Sequence, residues 1–303
     1  MRTVYLGTSE FAADVLRVLA GSPHAPQLVV TRPDRPRGRG RKLASPPVLQ
    51  VATELGIDTD QPESVNGEAA RQRIAAATPD AVVVCAFGAL IKEPLLSAHP
   101  MLNVHPSLLP RWRGAAPVER AIMAGDERTG VCIMRLTEGL DSGPVCLSAQ
   151  EPIAADDTYG TLAARLAPLG GRLLVQALDT SPPFAEQDEA GATYAEKITA
   201  EDRLLSPGRP AAELERIVRA LTPHIGAALT GVGADRSERL GVWEAAARAP
   251  QAGDPGPGEL RLDGRGGRGP ILGCTPGTLE LITVQPAGRK AMPGEAYLRG
   301  LRS

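Results

Sequence analysis

Runs of β-branched and aliphatic residues alternating with helix-period segments constrain this chain more than any other feature. Residues 3–7 (TVYLG) form a short apolar run that ends in glycine. Beyond it, Phe11, Ala12, Val15, Leu16 and Leu19 recur at the spacing of one helix face. A second run, Gln27 to Val30, precedes a second helical pattern over 47–56, closed by Gly56. Asp80 to Ala86 is a third, strongly β-branched run. Strands that alternate with helices predict an α/β fold: a doubly wound, Rossmann-like, mostly parallel sheet covered on both faces. The strand–glycine–helix opening does not predict a nicotinamide site. G-T-S-E-F lacks the G-x-G-x-x-G spacing, and Glu10 would repel a pyrophosphate at that helix start.

The 303 residues suggest about two domains at roughly 150 residues each, with one large domain as the alternative. The pattern changes near residue 180. Ser181-Pro182-Pro183 breaks the chain, and residues 185–203 are polar and charged. An amphipathic helix follows, Glu213 to Leu221, with Leu214, Ile217, Val218 and Leu221 on one face. Thereafter come short strands punctuated by glycine: Leu240–Trp243, Gly258–Leu262, Ile271–Cys274 and Thr278–Val284. That rhythm predicts a small, OB-like β-barrel. The expected boundaries are a first, sheet-based domain over 1–182, a linker over 183–203 and the barrel over 204–303. The Gly/Arg tract at 264–269 reads as a hairpin loop.

Composition narrows the function classes. Hydrophobic residues make up 43% and charged residues 22%, which argues against disorder. With nine aromatic residues in the whole chain, the core must be built from Leu, Val, Ile and Ala. The net charge of −2 excludes a polybasic binder, so an anionic partner must be met by a local patch. The longest apolar run, Ala81 to Ile91, falls short of the roughly 20 residues a membrane span needs. Glu10 and Asp14 stand where a signal peptide would be apolar, so the chain is expected in the cytoplasm. The four cysteines lie far apart and form no C-x-x-C pair, so neither disulfides nor a zinc knuckle is expected. No heptad seam is visible, and a monomer is expected.

The chemistry concentrates in M-L-N-V-H-P-S-L-L-P-R-W-R-G-A-A-P at 101–117. Pro106 biases His105 towards extended geometry. In a strand, Asn103 and His105 then share one face while Leu102 and Val104 pack on the other. An imidazole can take and return a proton near neutral pH, and an amide N–H can donate to an oxyanion. A lone histidine or a lone aspartate between glycines has an ordinary structural reading as well. The carboxylate best suited to orient the ring is Asp141 in T-E-G-L-D-S-G-P, where Gly139 and Gly143 let the backbone curl.

N-V-H-P-S-L-L-P-R-W-R-G-A-A-P with G-L-D-S-G resembles the 10-formyltetrahydrofolate-dependent formyltransferase family. Within it, G-T-S-E-F-A at 7–12, R-P-D-R-P-R-G-R-G-R-K at 32–42, T-Y-A-E-K-I at 193–198 and Q-P-A-G-R-K-A-M at 285–292 are most similar to the members that act on methionyl-tRNA. The resemblance implies formyl transfer to the α-amino group of methionyl initiator tRNA, with Asn103, His105 and Asp141 as the catalytic trio and no metal. It also implies that Ser107, Leu108, Leu109 and Pro110 line the folate site, with Phe87, Gly88 and Leu90 as the pocket wall around the pterin. Residues 32–42 hold six cations against Asp34, and their glycine and proline breaks make the segment a flexible loop. By resemblance Arg35, Arg37, Arg39, Arg41 and Lys42 meet the acceptor end of the tRNA, where phosphate contacts supply salt-dependent affinity. The barrel, with 13 basic and 10 acidic side chains over 204–303, would hold the tRNA body. An alternative acceptor is the amine of a sugar nucleotide or purine precursor. A catalytically dead RNA-binding protein is a third reading, but it predicts damage to the trio, which is intact.

The sequence departs from the family at two places. Thr222-Pro223-His224-Ile225 stands where the family usually has Asn-Pro-Trp-Pro, and Leu204-Leu205-Ser206 replaces an Ile-Asp-Trp-like stretch.

Overall fold

The computed structural model describes residues 1–37, 42–232, 238–262 and 268–300. The chain divides into two compact units. The first comprises Met1–Pro117, Arg128–Pro152 and Ala163–Ala195; the second comprises Val118–Glu127, Ile153–Leu162 and Glu196–Ser303.

The first unit is built on the strands expected from the sequence: β1 (Thr3–Gly7) and β2 (Pro26–Val30). The short β3 (Arg35–Arg37) and β4 (Lys42–Ala44) form an antiparallel pair where a loop was expected. Pro36 fits there because a two-stranded ladder leaves one edge that needs no N–H donor. Then follow β5 (Asp58–Asp60), β6 (Ala81–Cys85), β7 (Met101–His105), β8 (Arg113–Gly114), β9 (Arg128–Arg135), β10 (Val145–Pro152) and β11 (Tyr194–Ala195). The main sheet has the order β10-β9-β7-β6-β1-β2-β5. From β7 to β5 it is parallel; β9 runs antiparallel to β7, and β10 antiparallel to β9. Strands β1 and β6 are buried at every position, as near-continuous apolar runs require in a sheet covered on both faces.

Two helices show how the covering works. Helix Glu10–Ala20 starts at Ser9, whose hydroxyl accepts the N–H of Ala12, and it buries Phe11, Ala12, Val15, Leu16 and Leu19. Helix Tyr159–Thr180 is not predicted by the sequence because Pro168, Gly170 and Gly171 look like breakers. The glycines serve close packing instead. A Cβ on Gly170 would stand 2.9 Å from Val104, and one on Gly171 would stand 2.6 Å from Val18. The helix can therefore lie directly on the face of β7 that carries Val104.

The second unit contains β12 (Ala227–Val232), β13 (Glu238–Arg248), β14 (Leu260–Leu262), β15 (Pro270–Gly273), β16 (Thr278–Pro286) and β17 (Met292–Pro293). They form a curled antiparallel sheet of order β12-β13-β16-β15-β14, with β17 added on β16. Two register shifts in β13, around Glu244, bend it. Strand β13 is longer than its sequence suggests because Ala245–Ala247 carry little strand propensity of their own. Helix Ala211–Leu221 lays Leu214, Ile217, Val218 and Leu221 on Leu229, Leu240, Val242, Leu279 and Leu281, as its periodicity predicts. The departing segment at 222–225 is well held. The Thr222 hydroxyl donates to the Trp243 carbonyl at 2.9 Å, and His224 pairs with Glu119 at 2.9 Å while stacking on Tyr159. The 264–269 tract lies largely outside the described residues.

Candidate active site

Strand β7 places Asn103 and His105 on one face and Leu102 and Val104 on the other. Both polar side chains are buried, at 8% and 4% exposure. The ring nitrogen Nε2 of His105 lies 2.9 Å from the carbonyl oxygen of Trp112. A carbonyl only accepts, so Nε2 carries the hydrogen, and Nδ1 is the nitrogen left for chemistry.

Asp141 comes from the loop between β9 and β10, and its arrival is not obvious from topology. Because β9 is antiparallel to β7, His105 pairs with Cys132 and Leu102 with Arg135. The chain therefore leaves β9 about 10 Å back along β7 from His105. Residues 136–144 must fold back over the polar face, and they do so through Asp141 itself, in a left-handed conformation at φ 46°. Asp141 Oδ1 accepts from Asn103 Nδ2 at 3.3 Å. Asp141 Oδ2 accepts the N–H of Gly114 at 2.9 Å and lies 3.7 Å from His105 Nδ1. The three residues thus converge around one space.

Two further segments follow the C-terminal ends of β7 and β6. Ser107 is fully buried, and its hydroxyl donates to the Arg111 carbonyl at 2.6 Å, closing the 107–111 turn. Leu108, Leu109 and Pro110 in this turn are half-buried. After β6, Phe87 is buried in the core, while Leu90 is two-thirds exposed. The carbonyls of Phe87, Gly88 and Leu90 accept from Thr8, Arg32 and Asn66 respectively, which holds this stretch in one shape. Gly88, at φ 74°, leaves open space where a side chain would stand.

Of the basic segment, Arg35 begins β3 and pairs with Glu63 at 3.4 Å, and Arg37 faces Lys42 in the β3–β4 register. Arg39 and Arg41 lie outside the described residues. Among the described residues no group of three or more His, Cys, Asp or Glu is placed to hold a metal, and no helix is long and apolar enough to cross a membrane. A cavity of about 250 Å³ opens at the other end of β6 and β7, beside Ala81, Met101 and Leu102, and contains none of the trio.

Sequence reasoning missed two backbone groups, the Trp112 carbonyl and the Gly114 N–H. Both belong to R-W-R-G, and the only signal was the glycine. Gly114 sits at φ 116°, and a Cβ there would lie 2.8 Å from the Ala195 carbonyl. The turn can therefore approach both β11 and Asp141 only without a side chain.

Comparison with known proteins agrees with the geometry. Residues 1–178 match the formyl transferase family and residues 197–302 the formyl transferase C-terminal domain. A methionyl-tRNA formyltransferase of Marinobacter nauticus is 42% identical over 306 residues, covering 99% of this chain and 96% of its own. The structure of HypX from Aquifex aeolicus in complex with tetrahydrofolic acid shares the fold, with a TM-score of 0.65 and 16% identity over 98% of this chain. This chain spans about half of HypX (47%). The methionyl-tRNA formyltransferase of Clostridium thermocellum also shares the fold, with a TM-score of 0.57 and 13% identity over 82% of this chain and 94% of its own. From the motifs, the converging trio and a 42% identical relative matched along nearly its whole length, the chain belongs to the methionyl-tRNA formyltransferases.

Proposed function

We infer that this enzyme transfers the formyl group of 10-formyltetrahydrofolate to the α-amino group of methionyl initiator tRNA, yielding N-formylmethionyl-tRNA for translation initiation. The observation that carries this reading is the convergence of Asn103, His105 and Asp141 from three separate stretches of chain.

Each residue has a role that follows from its contacts. The Asn103 amide has two hydrogens; one faces Asp141, leaving the other for the formyl oxygen as charge builds on it. His105 Nδ1 is placed to take the proton released by the attacking amine and to return it to the departing nitrogen. The Asp141 carboxylate, 3.7 Å away, balances the charge that the ring gains. The donor supplies the formyl carbon and, once that bond breaks, the departing nitrogen. The residues suit a folate: the fixed 87–90 stretch offers backbone groups beside open space at Gly88 and an exposed Leu90. Ser107, Leu108, Leu109 and Pro110 complete this wall. No step requires a metal.

Arg35, Arg37, Arg39, Arg41 and Lys42 are the proposed contacts to the tRNA acceptor end. Residues 1–182 are read as the catalytic domain, 183–203 as the linker and 204–303 as the tRNA-binding domain of a cytoplasmic monomer. The test is formyl incorporation into charged initiator tRNA, with charged elongator methionine tRNA as control. Stoichiometric tetrahydrofolate release with the initiator alone is expected; equal formylation of both, or of neither, overturns the reading.

A further inference from the structure

The fold-back of the 136–144 loop needs a restraint, because Asp141 must be held in the left-handed region while its carboxylate reaches Asn103, Gly114 and His105. That restraint comes from a residue with no part in the chemistry. Gln187 Nε2 lies 2.8 Å from the carbonyl oxygen of Asp141 and 2.7 Å from that of Gly143. Its Oε1 accepts from Arg113 Nε at 3.0 Å. Arg113 is fully buried, and its two terminal nitrogens pair with both carboxylate oxygens of Glu189 at 2.9 and 2.8 Å.

This chain of contacts fixes the direction of the amide. Arg113 can only donate, so it must face the amide oxygen, and the –NH2 must face the two loop carbonyls. Each amide hydrogen then meets one carbonyl, and the turn is held at Asp141 and again two residues later at Gly143. The same stretch of chain acts at both ends of the clamp: Arg113 orients Gln187, and the next residue, Gly114, donates to the Asp141 carboxylate. Arg113 is itself anchored through its backbone N–H to the Thr193 carbonyl at 2.9 Å, six residues beyond Gln187.

We propose that Gln187 is a positioning residue for formyl transfer, holding the Asp141 turn so that the carboxylate stands against His105 and Asn103, with Arg113 and Glu189 setting its amide. The proposal rests on the catalytic reading of Asp141 given above. Gln187 touches no reacting atom, so its effect belongs in turnover and passes through Asp141.

The test uses Gln187→Glu, which keeps an acceptor for Arg113 but removes both amide hydrogens, and Gln187→Met, which keeps the volume and removes both functions. Each is measured alone and combined with Asp141→Ala in the full-length enzyme. Displacements near 1 Å cost up to about 100-fold in rate, so kcat is expected to fall roughly 10- to 100-fold in both single variants. KM for folate and for tRNA should stay within about threefold, the pattern of an interaction made only in the transition state. In the Asp141→Ala background, neither Gln187 substitution should lower kcat further, because contacts that act as a unit are not additive. A merely structural glutamine would lower activity by the same factor in both backgrounds, and that result overturns the proposal. So does wild-type turnover in Gln187→Glu. Wild-type turnover in Asp141→Ala alone removes the catalytic reading itself, and the proposal with it.

Discussion

The Nδ1 atom of His105 stands 3.7 Å from Oδ2 of Asp141, while the other ring nitrogen is tied to the Trp112 carbonyl. One nitrogen is thus committed to structure and the other is available for a proton. Replacing His105 by Ala should lower kcat by about 10²–10⁴-fold, the span usual for a proton-transfer residue. Asp141→Asn keeps an acceptor for the Gly114 N–H but removes the charge, and should also act on kcat rather than KM. Steady-state kinetics with both substrates varied checks this; turnover of His105→Ala within a few-fold of wild type would remove the assignment.

Gly114 links the site to its scaffold. At φ 116°, with the Ala195 carbonyl 2.8 Å from a would-be Cβ, it tolerates no side chain without backbone movement. Gly114→Ala should cost on the order of 1–3 kcal/mol of stability, as strained backbone positions do. Because its N–H donates to Asp141, turnover should fall as well. Urea unfolding combined with turnover of the folded variant reads both, and an unchanged pair of values contradicts the account.

In the second unit, Arg120 forks onto both carboxylate oxygens of Asp202 at 2.8 and 2.9 Å, and Thr199 donates to the same carboxylate. The guanidinium hydrogen bonds, foremost, hold the Asp202 carboxyl down at about 2. An unfolded aspartate titrates near about 3.9, so the folded state binds this proton less readily than the unfolded one. The resulting stabilisation, on the order of 2 kcal/mol, is complete above about pH 4 and is lost as pH falls through about 2. Asp202→Asn should therefore be less stable than wild type at neutral pH, with the gap closing over that acid window. A gap independent of pH would assign the loss to packing.

Three of the four cysteines should be inert in the native protein. Burial pushes the Cys85 thiol up to about 12 and the Cys132 and Cys274 thiols up to about 11, so little thiolate forms at neutral pH. Cys146, half-buried and also raised by burial, is the most accessible of the four. A thiol reagent at pH 8 should modify Cys146 first and the other three only on unfolding. Mass spectrometry of a timed reaction decides it, and rapid modification of Cys85 or Cys132 would contradict the described packing.

The basic segment at 32–42 should reveal itself through salt. Removing a cation that neutralises one phosphate lowers the slope of log affinity against log salt by about one. Neutralising Arg35 and Arg37 together should weaken tRNA binding and flatten that slope, leaving the KM for folate unchanged. Filter binding across a salt series distinguishes this from a general loss of fold, which would move both substrates together.

Alternation of apolar runs and helical faces was enough to predict the doubly wound sheet, because burial on both faces imposes continuous β-branched strands and one-sided helices. Asn103 and His105 were legible for a similar local reason: strand periodicity puts residues two apart on one face. Helix Tyr159–Thr180 was hidden, since its glycines answer to Val104 and Val18 on other elements and not to their own neighbours. The same holds at the site. That Asp141 turns back against β7, that Trp112 lends a carbonyl and that Gln187 clamps the turn depend on β9 running antiparallel and on a distant stretch of chain docking beside β8. Hydrogen bonds of this kind are set by where chains meet in space, and adjacent residues carry no periodic signal of them. Local chemistry named the candidate residues; only tertiary contacts decided how they are held.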